Sequence, residues 1–159
     1  MSAHRFTFPG LTGGTLNLAD YKGKAVLVVT VASRCGLTPQ YEGLQKLWDE
    51  NGKKGLVVLG VPSNDFGAQE PGSEKEIQSF CSTNYAVDFP MTGKQTVIGG
   101  TAHPFYRWVV DEAGEAAAPK WNFHKVLIGK NGELAGIFGS RTDPADKDLT
   151  TAIDGALKA

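Results

Sequence analysis

Ala25-Val-Leu-Val-Val-Thr-Val-Ala-Ser-Arg-Cys-Gly-Leu-Thr-Pro-Gln-Tyr41 carries an apolar run into a helix start through a single cysteine. Ala25 to Ala32 is continuously apolar or β-branched, the pattern of a strand covered on both faces. Thr38-Pro39 predicts an N-cap followed by a proline in the first helical turn. Tyr41, Leu44, Leu47 and Trp48 then recur at helical spacing. A second buried run, Leu56-Val-Val-Leu-Gly-Val61, follows. Strand, helix and strand of these lengths make a right-handed crossover, so the two strands lie parallel and adjacent.

The flanking sequence extends this unit. Phe6-Thr-Phe-Pro-Gly-Leu and Thr15-Leu-Asn-Leu flank Gly13-Gly14 and predict an N-terminal hairpin. Ser73-Glu-Lys-Glu76 has the form of a capping box, and the helix it opens carries Ile77, Phe80 and Cys81 on one face. Lys125-Val-Leu-Ile-Gly and Glu133-Leu-Ala-Gly-Ile-Phe are joined through Asn131-Gly132, a turn that favours an antiparallel pair. Asp143-Pro144 is expected to begin a last helix with Leu149, Ile153 and Leu157 inward. The order predicts an α/β protein of thioredoxin-like fold, a central mixed β-sheet flanked by helices on both faces. Sites in open α/β sheets gather beyond the carboxyl ends of strands, where Cys35 falls.

The chain has 159 residues and 41% hydrophobic content, enough for one sizeable core, and we read residues 1–159 as a single domain. There is no internal repeat or linker. The formal net charge is −1 and no basic run occurs, which argues against a nucleic-acid partner. No apolar stretch approaches the ~18 residues of a membrane span. The N-terminus lacks the apolar segment of a signal peptide, so a cytoplasmic, reducing location with free thiols is expected.

Cys35 and Cys81 are the only cysteines, too far apart for a C-x-x-C pair. His4, His103 and His124 lack ligand spacing, and neither a metal nor another cofactor is expected. Cys35 allows two readings. It is a small buried hydrophobe, or it is a thiolate stabilised by the positive end of the helix that follows. Thr38 occupies the place where a thiol–disulfide oxidoreductase carries its second cysteine, so local resolution of a mixed disulfide is not available.

Three blocks add a resemblance. Val31-Ala-Ser-Arg-Cys-Gly-Leu-Thr-Pro-Gln-Tyr41, Pro62-Ser-Asn-Asp-Phe-Gly-Ala-Gln-Glu-Pro-Gly72 and Trp121-Asn-Phe-His-Lys-Val-Leu-Ile128 resemble, in order and spacing, the signature blocks of the glutathione peroxidase family. The resemblance runs from about Phe6 to the C-terminus. It implies that Cys35 is the peroxidatic residue, in the place of selenocysteine in many animal members. It also implies that Gln69, Trp121 and Asn122 complete a catalytic tetrad. Amide and indole N–H groups are neutral donors able to favour a charged sulfur and to hold a departing oxygen. Without the resemblance, Gln69 reads as a loop residue and Trp121 as a core aromatic.

The implied reaction is thiolate attack on a hydroperoxide, giving a sulfenic acid that condenses with a second thiol. Cysteine-containing relatives use a cysteine in the block here written Phe80-Cys-Ser-Thr-Asn-Tyr85, then thioredoxin, whereas selenoprotein relatives use glutathione. The resemblance therefore implies Cys81 as the resolving residue, though Cys81 also suits a core position. Thr30, Ser63 and Asp65 stand where the family often has asparagine, cysteine and glutamine. The stretch between Gly93 and Trp121 is short where tetrameric members carry an interface loop, so a monomer is expected. The same two cysteines would also serve a peroxide sensor that passes oxidation to a partner protein. A non-redox binding module on this fold would leave Cys35 inert to peroxide.

Overall fold

The computed structural model describes residues 2–159. Its centre is a four-stranded sheet built from β3 (Ala25–Val31), β4 (Leu56–Pro62), β5 (Lys125–Ile128) and β6 (Leu134–Phe138), in the order β4-β3-β5-β6. β3 and β4 run parallel with Ala25 opposite Leu56 and Val31 opposite Pro62. The helix α1 (Gln40–Asn51) makes the crossover between them. β5 is antiparallel to β3 and also to β6, the latter pairing as expected from the Asn131-Gly132 turn that joins them. The sheet is therefore mixed. A separate hairpin of β1 (Thr7–Pro9) and β2 (Thr15–Asn17) forms around Gly13 and Gly14.

Alternation along β3 divides the core. Val26 and Val28, with Val57, Leu59, Val126 and Ile128, pack on one face against Phe105, Trp108 and Val109 of α3 (Pro104–Ala113). Leu27, Val29 and Val31 pack on the other face against α1, against α2 (Glu74–Tyr85) and against α4 (Lys147–Lys158). Every β3 and β4 residue is buried, which explains why neither strand shows polar alternation. The capping box of Ser73 and Glu76 opens α2, and both of its hydrogen bonds form at 3.2 Å. Among the described residues, no helix is long and apolar enough to cross a membrane.

Three local features differ from expectation. The sequence pattern did not reveal α3, although Pro104 occupies its first turn and His103 Nδ1 accepts from Phe105 N–H at 3.1 Å. Histidine is an uncommon cap, and the preceding Gly99-Gly100 masks the onset. Thr38 does not cap α1, which begins two residues later. Its Oγ1 instead accepts from Cys35 N–H at 3.0 Å and donates to Ala32 O at 2.8 Å. Short turns from Leu37 to Glu42 already satisfy the first N–H groups of α1, leaving that hydroxyl to the loop. Similarly, Asp146 caps α4, while Asp143 Oδ1 closes a turn onto Ala145 N–H at 2.8 Å.

His124 lies just before β5 and is buried. Burial, and then the Lys125 charge, push its pKa down to about 4. The unfolded chain takes up that proton near pH 6.5 while the folded chain does not. Stability contributed by neutral His124 is thus lost as pH falls from about 6.5 to about 4, by about 3 kcal/mol. We expect urea midpoints to fall across this window in wild type and to fall distinctly less in His124→Gln. Parallel slopes for the two proteins would refute the assignment.

Candidate active site

The loop after β3 is built to present Cys35. Its thiol is free, and the residue is 9% exposed. Thr38 holds it from below through the two bonds described above, and Thr38 N–H donates to Cys35 O at 3.0 Å. These bonds bend the chain so that Leu37 N–H donates to Cys35 Sγ at 3.3 Å. A backbone donor thus faces the sulfur from the turn that leads into α1, on the side of its positive dipole end.

Gln69 reaches the same loop from a different segment. Its carbonyl accepts from Arg34 N–H at 3.0 Å, next to Cys35 in the chain. Its side-chain Oε1 accepts from Asn122 Nδ2 at 3.0 Å. Asn122 is fully buried, and Nδ2 also approaches Phe66 O at 3.5 Å. Its Oδ1 is buried with no hydrogen-bond partner, an acceptor left open beside the loop. Trp121 is 37% exposed and lies against Phe66, with ring centroids 6.0 Å apart. Gly67 makes room for it, since a Cβ there would come within 2.9 Å of the indole.

The structure therefore links Gln69 to Asn122 directly and ties Gln69 to the Cys35 loop through the backbone. The donor that hydrogen-bonds to the sulfur is the Leu37 amide, and no side-chain donor of Gln69, Trp121 or Asn122 does so. Catalytic hydrogen bonds often tighten only with substrate present.

Two backbone strains lie in these segments. Ala68 has φ 52° and Phe123 has φ 66°, both in the left-handed region that non-glycine residues rarely adopt. They immediately precede Gln69 and follow Asn122. Phe123 is held by its N–H donating to Thr30 O at 2.6 Å, and by Lys125 Nζ donating to Phe123 O at 2.7 Å. That lysine is fully buried and also donates to Gln40 Oε1 at 2.8 Å, which joins α1 to the Asn122 turn. Burial pushes its pKa down to about 8.

Lys125 was not singled out in the sequence. Its signal was a cation inside the buried run Lys125–Ile128. The departures at positions 30, 63 and 65 serve local bonding. Thr30 Oγ1 and the Tyr106 hydroxyl lie 3.4 Å apart, Ser63 Oγ accepts from Asp65 N–H, and Asp65 Oδ2 accepts from Val97 N–H at 2.6 Å.

Cys81 sits elsewhere, on the buried face of α2 with Ile77, and is 2% exposed. Phe80 is half-buried beside it. Burial pushes the Cys81 thiol up to about 11, and the nearby Glu70 carboxyl adds to the effect. The Tyr41 hydroxyl lies beside Cys81 without a hydrogen bond of acceptable geometry. Cys81 is thus packed in the core with its thiol held protonated, the position that its place on the apolar face of α2 also suits.

The chain is similar to known proteins over most of its length. The glutathione peroxidase family model matches residues 3–110. The hydroperoxy fatty acid reductase Gpx2 of Synechocystis is 50% identical over 134 residues, covering 84% of this chain and 85% of that protein. The glutathione peroxidase-like peroxiredoxin 2 of Saccharomyces cerevisiae is 43% identical, covering 86% of each chain. The crystal structure of T. cruzi GPX1 superposes with a TM-score of 0.78 at 28% identity, covering all of this chain and 98% of the other. The chain, which carries its Cys35 loop on a thioredoxin-like sheet, therefore belongs to the glutathione peroxidase family.

Proposed function

We propose that this protein is a thiol peroxidase in which Cys35 is oxidised by hydroperoxides, Cys81 resolves the product and thioredoxin recycles the disulfide. The observation that carries the reading is the Gln69–Asn122 pair, hydrogen-bonded together and fastened beside Cys35 by the Arg34–Gln69 backbone bond. The Cys35 thiolate attacks one peroxide oxygen, and the O–O bond breaks. Sulfur is oxidised to a sulfenic acid, and the other oxygen leaves with a proton as water or alcohol. Gln69, Trp121 and Asn122 supply neutral donors for the charge that develops on the departing oxygen. The Cys81 thiol then displaces hydroxide from the Cys35 sulfur, which becomes water.

Fatty-acid hydroperoxides belong in the substrate range. A relative half identical in sequence bears that name, and the exposed Trp121 beside Phe66 offers an apolar shelf for a long chain. The presence of Cys81 favours thioredoxin over glutathione, because an internal disulfide is the product that a dithiol reductant removes. A steady-state assay with hydrogen peroxide and with a fatty-acid hydroperoxide, each with thioredoxin or glutathione, tests this. Turnover with thioredoxin several-fold above that with glutathione is expected; the reverse order would overturn the recycling step.

Asn122→Ala is expected to slow Cys35 oxidation by about a hundredfold, since it removes one donor directly and releases Gln69. Single-turnover trapping of the sulfenic acid measures this rate. An unchanged rate would remove Asn122 from the catalytic set.

A further inference from the structure

A cavity of about 180 Å3 separates the Cys35 loop from α2. Ser33 and Arg34 line it on one side, Glu76, Ile77 and Phe80 on the other, and Glu70 between them. Glu70 is 1% exposed. Its Oε2 and the Ser33 hydroxyl are both buried with no hydrogen-bond partner of good geometry. The Glu70 backbone is secured, its N–H donating to Asn64 Oδ1 at 2.9 Å and its carbonyl accepting from Lys94 Nζ at 3.2 Å. The Ser33 hydroxyl and N–H lie near the carboxyl and favour its charged form without a well-formed bond to Oε2. A buried carboxyl oxygen without a partner is costly, and a small fold that retains one does so against its own stability.

Cys81 lies one helical turn beyond Ile77, on the same buried face. The cavity is therefore the space that lies between the two cysteine-bearing elements. We infer that Glu70 is the proton acceptor for Cys81 when Cys81 attacks oxidised Cys35 during resolution. The inference rests on the two-cysteine reading above.

The step balances. As α2 loosens, the Cys81 thiol passes its proton to the Glu70 carboxylate. The freed sulfur electron pair forms the bond to Cys35 Sγ while the S–O bond of the sulfenic acid breaks. The departing hydroxide collects the proton from Glu70 and leaves as water, which restores the carboxylate. Peroxide, already consumed, is the oxidant.

The charged and titratable neighbours suit the role. Arg34 and Glu76 face the cavity, Lys94 lies at the Glu70 backbone, and Tyr41 and Cys81 approach from the core side. Burial holds the Glu70 carboxyl above its ordinary range, against the opposing pull of Ser33, Lys94 and Arg34. A carboxylate raised in this way is a stronger base toward a thiol, and that thiol is itself hard to ionise in place.

The test is single-turnover oxidation of wild type, Glu70→Gln and Glu70→Asp by one equivalent of hydrogen peroxide without reductant. Sulfenic acid and disulfide are quantified by mass spectrometry across pH 6 to 9. Glu70→Gln keeps the shape of the side chain and removes the base. Sulfenic acid formation is expected within twofold of wild type, with disulfide formation slowed at least tenfold at pH 7 and the gap narrowing as pH rises. Glu70→Asp is expected to recover part of the rate. Unchanged disulfide formation, or equal slowing at every pH without recovery in Glu70→Asp, would overturn the inference. Absence of both sulfenic acid and disulfide in all three proteins would instead overturn the peroxidase reading on which it rests.

Discussion

Replacing Cys35 with serine reduces hydroperoxide consumption to the background of the reductant alone, with thioredoxin and with glutathione alike. A hydroxyl in that place stays protonated at neutral pH and lacks the polarisable electron pair that attacks the O–O bond. No other thiol can substitute. Cys81, the one remaining cysteine, is buried and held protonated with its pKa near 11. The substitution leaves the Thr38 and Arg34 bonds of the loop untouched, because they use backbone atoms of residues 34 and 35. Its stability cost is then about 1 kcal/mol, a shift of a few degrees in melting temperature. Measuring turnover and melting temperature together separates chemistry from folding. Substantial turnover in a well-folded Cys35→Ser protein would remove the central claim.

The second large effect concerns α2. Cys81→Ser is expected to abolish thioredoxin-supported turnover while sulfenic acid still forms at Cys35 and, with excess peroxide, proceeds to sulfinic acid. In the oxidised wild type we expect α2 to have unwound around Cys81. Cys81 faces the core between Ile77 and Tyr41, and its sulfur has to leave that packing to reach a loop on another element.

The energetics permit this. α2 buries only Ile77 and Cys81, whereas α1 buries Gln40, Tyr41, Leu44 and Leu47. Exposing Ile77 costs about 2–3 kcal/mol. Closing the loop between residues 35 and 81 restricts the unfolded chain by about 4 kcal/mol in the chain-entropy picture, so the oxidised protein stays folded as a whole. Hydrogen exchange on the reduced and oxidised forms reads the change directly. Residues 74–85 lose protection on oxidation, and α4 at residues 147–158 keeps its own. Equal protection of residues 74–85 in a verified Cys35–Cys81 disulfide form would refute the unwinding.

The sequence by itself determined the sheet and the position of Cys35. Buried strands and Asn-Gly turns are local patterns, readable from a few neighbouring residues, and β3, β4, β5 and β6 all formed where those patterns lie. The Ser73 capping box is local in the same way and began α2 at Glu74. The resemblance in three blocks is what singled out Gln69, Trp121 and Asn122 as candidates, since no property of those residues alone marked them.

Tertiary structure decided the rest. Thr38 carries a capping signal, yet its hydroxyl went to Cys35 and Ala32, because the turns before α1 had already used the helix's free N–H groups. α3 was missed because its cap is a histidine. Its apolar side chains gain meaning only against Val26 and Val28 on the sheet face they cover. Lys125 and Glu70 look like ordinary charges in a list of residues. Burial alone makes one a clamp on the Phe123 turn and leaves the other an unpartnered carboxyl between two cysteine-bearing elements. Periodicity reports which face of an element is apolar. It does not report which distant groups share a low-dielectric space, where pairing, strain and proton affinity are set.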